Sequence, residues 1–228
     1  FDAWTSTGFT VKGNSNRADG GARTYVSWNW KANGTGSSDS SKDITATVSA
    51  NTTSGFSIVT YTAPSSDGTQ TVPHGLGVTP SAVVYKALST TGNWTMLHTA
   101  LDGSVDYMKW NDTDTNGNTS YSLTSSTIPC FEASSQTMVA YVFAEIEGFS
   151  KIGVYKGNGN ANGPLIHTGF KPAWVVMKRT DSTSSWECLD NKREAYAGNH
   201  RYLDLDFNVN AVENATNGTS LDFLSNGF

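Results

Sequence analysis

The sequence predicts an all-β fold, built as two tandem imperfect copies of an antiparallel β-sandwich, jelly-roll-like repeat. Three observations carry this expectation: a composition poor in helix formers, short apolar segments of period two at even spacing, and internal self-similarity at offsets of 92 to 95 residues. Hydrophobic residues make up 37% and charged residues 15% of the 228 residues, and Gly, Ser, Thr and Asn fill the difference. Ser, Thr and Asn compete with the helix backbone for hydrogen bonds, and Gly costs it entropy. Seven Trp among 11% aromatics supply the bulk for a packed interior.

The strands follow in order. Thr24–Trp30 alternates, with Tyr25, Ser27 and Asn29 on one face and Val26, Trp28 and Trp30 on the other. Further strands are expected at Ile44–Val48, Phe56–Tyr61, Ala82–Lys86, Trp94–Leu97, Thr137–Phe143, Ile152–Tyr155, Ala173–Lys178 and Trp186–Leu189, separated by Gly, Asn, Ser and Pro clusters. No window keeps a 3.6-residue period over three turns. Helix is therefore confined to a turn or two near Asn191–Ala197. The Ser-rich run Asn33–Lys42 reads as a flexible surface loop or linker.

The repeat rests on matched blocks. Gly55-Phe56-Ser57 matches Gly148-Phe149-Ser150, and Pro80–Lys86 matches Pro172–Lys178. Trp94-Thr-Met-Leu97 matches Trp186-Glu-Cys-Leu189, and Tyr107-Met108 matches Tyr202-Leu203. The closing Leu224–Phe228 aligns with Thr5–Phe9. The expected organisation is the end of a preceding copy at 1–32, a Ser/Thr-rich linker and strand at 33–54, copy 1 at 55–147 and a truncated copy 2 at 148–228. Both ends then fall at equivalent points of the repeat, as in a stretch cut from a longer chain.

Charge and length exclude some classes. The net charge of −5 comes with scattered Lys and Arg, without the basic footprint of a nucleic-acid binder. The longest apolar run, Pro172–Met177, is strand-sized, so no membrane insertion is expected. Cys130 and Cys188 allow either one disulfide or two isolated thiols, and no Cys or His spacing suits a metal.

Candidate chemistry is sparse. His74 and His167, at equivalent positions before Gly and Pro, suit a ligand or pH switch, or a turn residue capping backbone groups, which is the expected role. Trp94 and Trp186 are also equivalent. Exposed, they would stack on sugar rings, but alternation with Met96 and Cys188 favours core packing for both. Asp112, Asp114 and Asn116 follow a calcium-loop spacing, with Gly117 for the turn. The position of the bidentate Glu is Leu123, so a polar hairpin turn is the competing reading. Glu132, Glu145 and Glu147 raise a glycosidase, which needs two carboxylates at a set separation, yet they read as solvated charges at strand ends. With no nucleophile elbow, phosphate loop or zinc motif, no enzyme and no cofactor are expected.

Several blocks together resemble a repeated domain of virion structural proteins in tailed phages, especially marine and cyanobacterial ones, of tail-fibre-like type. In the first copy these are Tyr25–Ala32, Val48–Val59 and His74–Pro80; in the second, Phe143–Gly153, Thr168–Arg179 and Phe223–Phe228. The resemblance implies a fibre or particle-surface module located on the virion, giving rigid display and host attachment as a homo-oligomer. Its implied partners are other copies of itself and neighbouring virion proteins, with a host cell-surface glycan as a further candidate. It carries no active site. The alternative is a carbohydrate-binding module of a secreted, extracellular bacterial protein.

Overall fold

A computed structural model describes residues 3–11, 25, 27–65, 70–131, 135–192 and 221–228. They form no helix, and every strand pair is antiparallel. The chain divides into two units, Phe1–Trp30 and Lys31–Phe228.

The first unit contains a hairpin of β1 (Ala3–Thr5) and β2 (Gly8–Thr10). Trp4 pairs with Phe9 across it, ring edge to ring face at 6.0 Å. The strand expected at Thr24–Trp30 does not form at its described residues, 25 and 27–30. Alternation sorts the faces of an extended segment but does not by itself place it in a ladder.

The second unit begins with β3 (Ser37–Asp39), β4 (Ala46–Asn51), β5 (Phe56–Thr62), β6 (Thr71–Pro73), β7 (Ala82–Ala87), β8 (Thr95–His98), β9 (Asp106–Lys109), β10 (Gly117–Asn118), β11 (Thr127–Pro129) and β12 (Thr137–Phe143). Eight of these form one sheet in the order β10-β9-β8-β7-β12-β5-β4-β3, while β6 and β11 pair as a separate ribbon. The linker expected at Asn33–Lys42 is thus partly an edge strand, β3, paired with Ala46–Val48. Its Ser and Asp side chains suit an edge whose outer backbone groups face water.

Register sorts the sheet's two faces. Met138, Ala140 and Val142 of β12 lie beside Tyr61 and Val59 of β5, and beside Val83 and Tyr85 of β7. These residues form one core with Leu97, and the ribbon covers it with Val72 and Ile128, both fully buried. The result is a sandwich-like, two-layer antiparallel body. Two tyrosines rooted in the sheet reach across it: the Tyr85 hydroxyl donates to the Pro129 carbonyl at 3.0 Å and the Tyr61 hydroxyl to the Phe131 carbonyl at 3.2 Å. A buried phenol needs such a partner, because an unpaired hydroxyl in an apolar interior costs about 1–3 kcal/mol.

Beyond β12, the described residues hold one more hairpin, β13 (Trp174–Lys178) with β14 (Trp186–Asp190). Its register repeats that of β7 and β8. Val83 pairs with Leu97 and Val175 with Leu189, and each partner of the second pair lies 92 positions after its counterpart (175 − 83 = 92). A backbone bond closes each hairpin at the same place, from Thr99 N to Ser81 O and from Asn191 N to Ala173 O. Val175, Leu189, Leu221 and Phe223 form a second, smaller core. The strand expected at Ile152–Tyr155 is irregular and mostly exposed. The helical turn expected at Asn191–Ala197 lies outside the described residues beyond Lys192, and Asn191 and Lys192 are bends.

Near the C-terminus, Leu224 bridges Gly227 around two turn residues, as Thr5 pairs with Gly8 around two in the N-terminal hairpin. Gly227 also bridges His167, and a Cβ there would collide with the Ile166 carbonyl. Gly55 is constrained in another way: its φ is +64° and a Cβ would strike the Ala144 carbonyl.

Two substitutions test this architecture. Leu97→Ala should lower stability by about 3 kcal/mol, the cost of a methyl-lined void in a closed core. Gly55→Ala should cost more than about 1 kcal/mol, from positive φ and the steric clash together. Urea unfolding with an unchanged m-value checks both.

Candidate functional site

The strongest surface feature lies on the sheet face opposite the main core, where β7 and β8 meet. Lys86, Val139, Tyr141 and Trp94 line an open depression of about 580 Å³, rimmed by Leu88, Thr90 and Thr91. Register explains the grouping. Tyr85 pairs with Thr95, so Lys86 and Trp94 stand one step further out, while Tyr141 and Val139 come from the adjoining β12. The Trp94 and Tyr141 rings are nearly parallel, 18° apart, with centroids at 6.2 Å. Trp94 is 37% exposed, which corrects the core position expected from its alternation with Met96. Lys86 Nζ donates to the Gly92 carbonyl at 2.8 Å, Asn111 Oδ1 accepts from Trp94 N at 2.8 Å, and Leu88 N donates to the Thr137 carbonyl at 2.7 Å, so the loop that carries Trp94 is held by hydrogen bonds at both ends.

Trp186 takes the expected core position, at 4% exposed. Its indole N–H donates to the Lys109 carbonyl at 2.8 Å, and its ring meets that of Trp110 at 6.0 Å. Lys178 pairs with Trp186 as Lys86 stands to Trp94. The Lys-to-Trp spacing of eight residues in both hairpins was the sequence signal for this arrangement. The Tyr141 platform was not visible, because it arrives from a strand distant in sequence.

The two histidines part company. His74 is fully buried. Its Nδ1 accepts from Leu76 N at 3.3 Å, and its Nε2 lies 3.2 Å from the Thr124 carbonyl. These partners assign the proton to Nε2 and make His74 the backbone cap expected of it. Burial pulls its pKa below the ordinary value. His167 is exposed and contributes only the bridge to Gly227. Sequence reasoning missed His98, which caps Ala100 N through Nδ1 and meets Asn116 Oδ1 through Nε2 at 3.1 Å. Burial lowers its pKa, and the neighbouring Asp106 carboxylate opposes that shift. Asp106 is itself buried, and its Oδ2 has no hydrogen-bond partner among the described residues.

The calcium-type residues do not converge. Asp114 Oδ2 lies 2.6 Å and Asp112 Oδ2 4.0 Å from Lys109 Nζ, while Asn116 turns toward His98. The Asp114 carboxylate holds the Lys109 ammonium above its ordinary pKa. Glu145 binds Lys151 Nζ and Ile152 N, each at 3.0 Å, and Glu147 is exposed in the following turn. Glu132 lies outside the described residues. Cys130 and Cys188 are buried free thiols. Among the described residues, no three His, Cys, Asp or Glu side chains cluster as a metal site, and no helix is long and apolar enough to cross a membrane.

Residues 1–228 match the family model described as a domain of unknown function, DUF7483. No curated protein and no solved structure matches the chain.

Two measurements follow from this geometry. A histidine held below its ordinary pKa of 6.5 binds fewer protons folded than unfolded, so its contribution is complete above that pH and is lost as pH falls below it. Urea unfolding from pH 8 down to about 5 should therefore show falling stability, and His74→Gln should flatten the slope between about 6.5 and 5. Calorimetric titration with calcium should give neither binding heat nor a melting shift, since Lys109 occupies the carboxylates; either response would show the loop re-forming around the ion.

Proposed function

The chain belongs to the DUF7483 family, and from the resemblance of its sequence motifs we propose that it is a non-catalytic structural module of a phage virion, serving in a fibre or on the particle surface. The observation that carries this reading is the docking of one hairpin on the preceding sheet. The β13–β14 hairpin, in the register of β7–β8, seats Trp186 on Lys109 and Trp110. Its loop exchanges backbone bonds with the first body, from Asn116 N to Thr180 O and from Ser184 N to Thr113 O. The shared register, and a second small core formed by Val175 and Leu189, support two tandem copies of one jelly-roll-like repeat, each packed on its predecessor. Serial units of this kind give a rigid, extended body whose loops are free for host contact.

The virion resemblance of the sequence motifs supplies the location and the implied partners: further copies of the chain, neighbouring virion proteins and a host-surface glycan. The second reading, an extracellular carbohydrate-binding module, draws on the open Trp94–Tyr141 pair, since aromatic faces suit the apolar faces of sugars.

Mass spectrometry and antibody labelling of purified particles whose genome encodes the chain should detect it at the particle surface. Its absence from intact particles, together with retention on a glycan array, would replace the first reading with the second.

A further inference from the structure

We propose that His98 and Asp106 form an acid-operated latch, which holds the loop at 110–116 and, through that loop, the docked β13–β14 hairpin. The two side chains stand opposite each other in the β8–β9 pairing. Both are buried, His98 at 1% and Asp106 at 2% exposed. Both ring nitrogens of His98 are engaged: Nδ1 accepts from Ala100 N at 3.4 Å, and Nε2 lies 3.1 Å from Asn116 Oδ1. These partners place the single proton of a neutral ring on Nε2. Asp106 Oδ2 has no hydrogen-bond partner among the described residues, although a buried carboxylate oxygen ordinarily has one. A strong acceptor therefore lies beside a ring whose one proton is already given elsewhere.

A proton taken from solvent upsets this arrangement. The new N–H, on Nδ1, would point at the Ala100 N–H, donor against donor. The imidazolium gains by turning to Asp106 Oδ2, because a hydrogen bond between charged groups is roughly twice as strong as a neutral one. That turn takes Nε2 from Asn116 Oδ1, and Asn116 belongs to the loop on which the second hairpin is seated. Asn116 N donates to the Thr180 carbonyl, and Ser184 N and Lys178 Nζ donate to the Thr113 carbonyl. Asp106 is the charged side chain that acts on His98. Of the other elements around the ring, β7 places Ala82 opposite it, and Lys109, Asp112 and Asp114 pair with one another. Asp102, in the turn at 99–105, is exposed and bonded to Ser104. Burial holds the ring neutral at neutral pH, so the docked state binds fewer protons than the released one, and acid populates the released state. The second hairpin lacks the device: the counterpart of His98 is Asp190, which caps Lys192 N with a carboxylate.

Nothing in the latch depends on the virion reading. Presence on particles and proton-linked release in the purified chain are separate measurements, and each can fail alone.

Amide hydrogen exchange of the whole chain, followed by NMR at about pH 7.5 and about pH 5, tests the latch on either side of the ordinary histidine range. Rates are expressed as protection factors, which removes the intrinsic pH dependence of exchange. At the lower pH the amides of Ala100, Asn116 and Ser184 should lose about tenfold or more protection relative to Ala140, in the middle of β12. His98→Gln keeps a donor for Asn116 and an acceptor for Ala100 N but does not titrate, so its relative protection should be equal at both pH values. Asp106→Asn removes the carboxylate and should shift the loss to lower pH, and it is the second test should His98→Gln unfold the chain. His74 titrates over the same range, so His74→Gln should retain the local loss. A wild-type chain whose relative protection is the same at both pH values overturns the proposal. So does a loss confined to Ala100, a folded His98→Gln or Asp106→Asn chain with the full wild-type loss, or a loss abolished by His74→Gln.

Discussion

The second unit depends on one strand pairing that chain order does not suggest. β12 lies between β5 and β7, and it alone joins two meanders, β3-β4-β5 and β7-β8-β9-β10, into one sheet. It pairs over seven residues with β5 and over six with β7. Both of its faces are committed: Met138, Ala140 and Val142 to the core, Val139 and Tyr141 to the opposite side. A one-residue slip would exchange these sets and place the Tyr141 hydroxyl among core methyls. The many contacts of β12 with strands distant in sequence also mean that the sheet closes late, after costly loop closures.

The second layer is tied to the sheet by a few polar groups chosen for their reach. Tyr85 and Tyr61 extend from the sheet to carbonyls next to the ribbon, and His74 ties the end of β6 to the Thr124 turn. Each pairs a buried donor or acceptor that would otherwise be stranded. Burial drives the Tyr85 hydroxyl well above its ordinary pKa, so it stays a donor. These directional bonds join the layers at named points, whereas the aliphatic core between them supplies non-directional burial.

Equivalent residues meet different fates once copies pack on one another. Trp94 and Trp186 share a sequence context, a partner lysine and a hairpin register, yet one is half open and the other enclosed. The difference lies in Lys109, Trp110 and Thr113, which the first body offers to the second hairpin. His98 and its positional counterpart Asp190 diverge in residue type but keep one task. Each accepts a backbone N–H two residues on, from Ala100 and from Lys192.

The sequence by itself determined the β class, most central strands and the correspondence between the two hairpins. Period-two patterning and Gly- or Asn-rich turns are local, and local physics suffices to read them. Thr137–Phe143 was legible to the residue for that reason. Alternation marks the faces of an extended segment but not whether it joins a ladder, so Thr24–Trp30 and Ile152–Tyr155 looked like strands, while the polar Ser37–Asp39 and the short ribbon strands did not. Only the tertiary structure decided which face each aromatic took, which carboxylates met a lysine, and that Trp94 stands open. Those outcomes depend on what a neighbouring segment covers, and that information sits in long-range pairing rather than in any window of the chain.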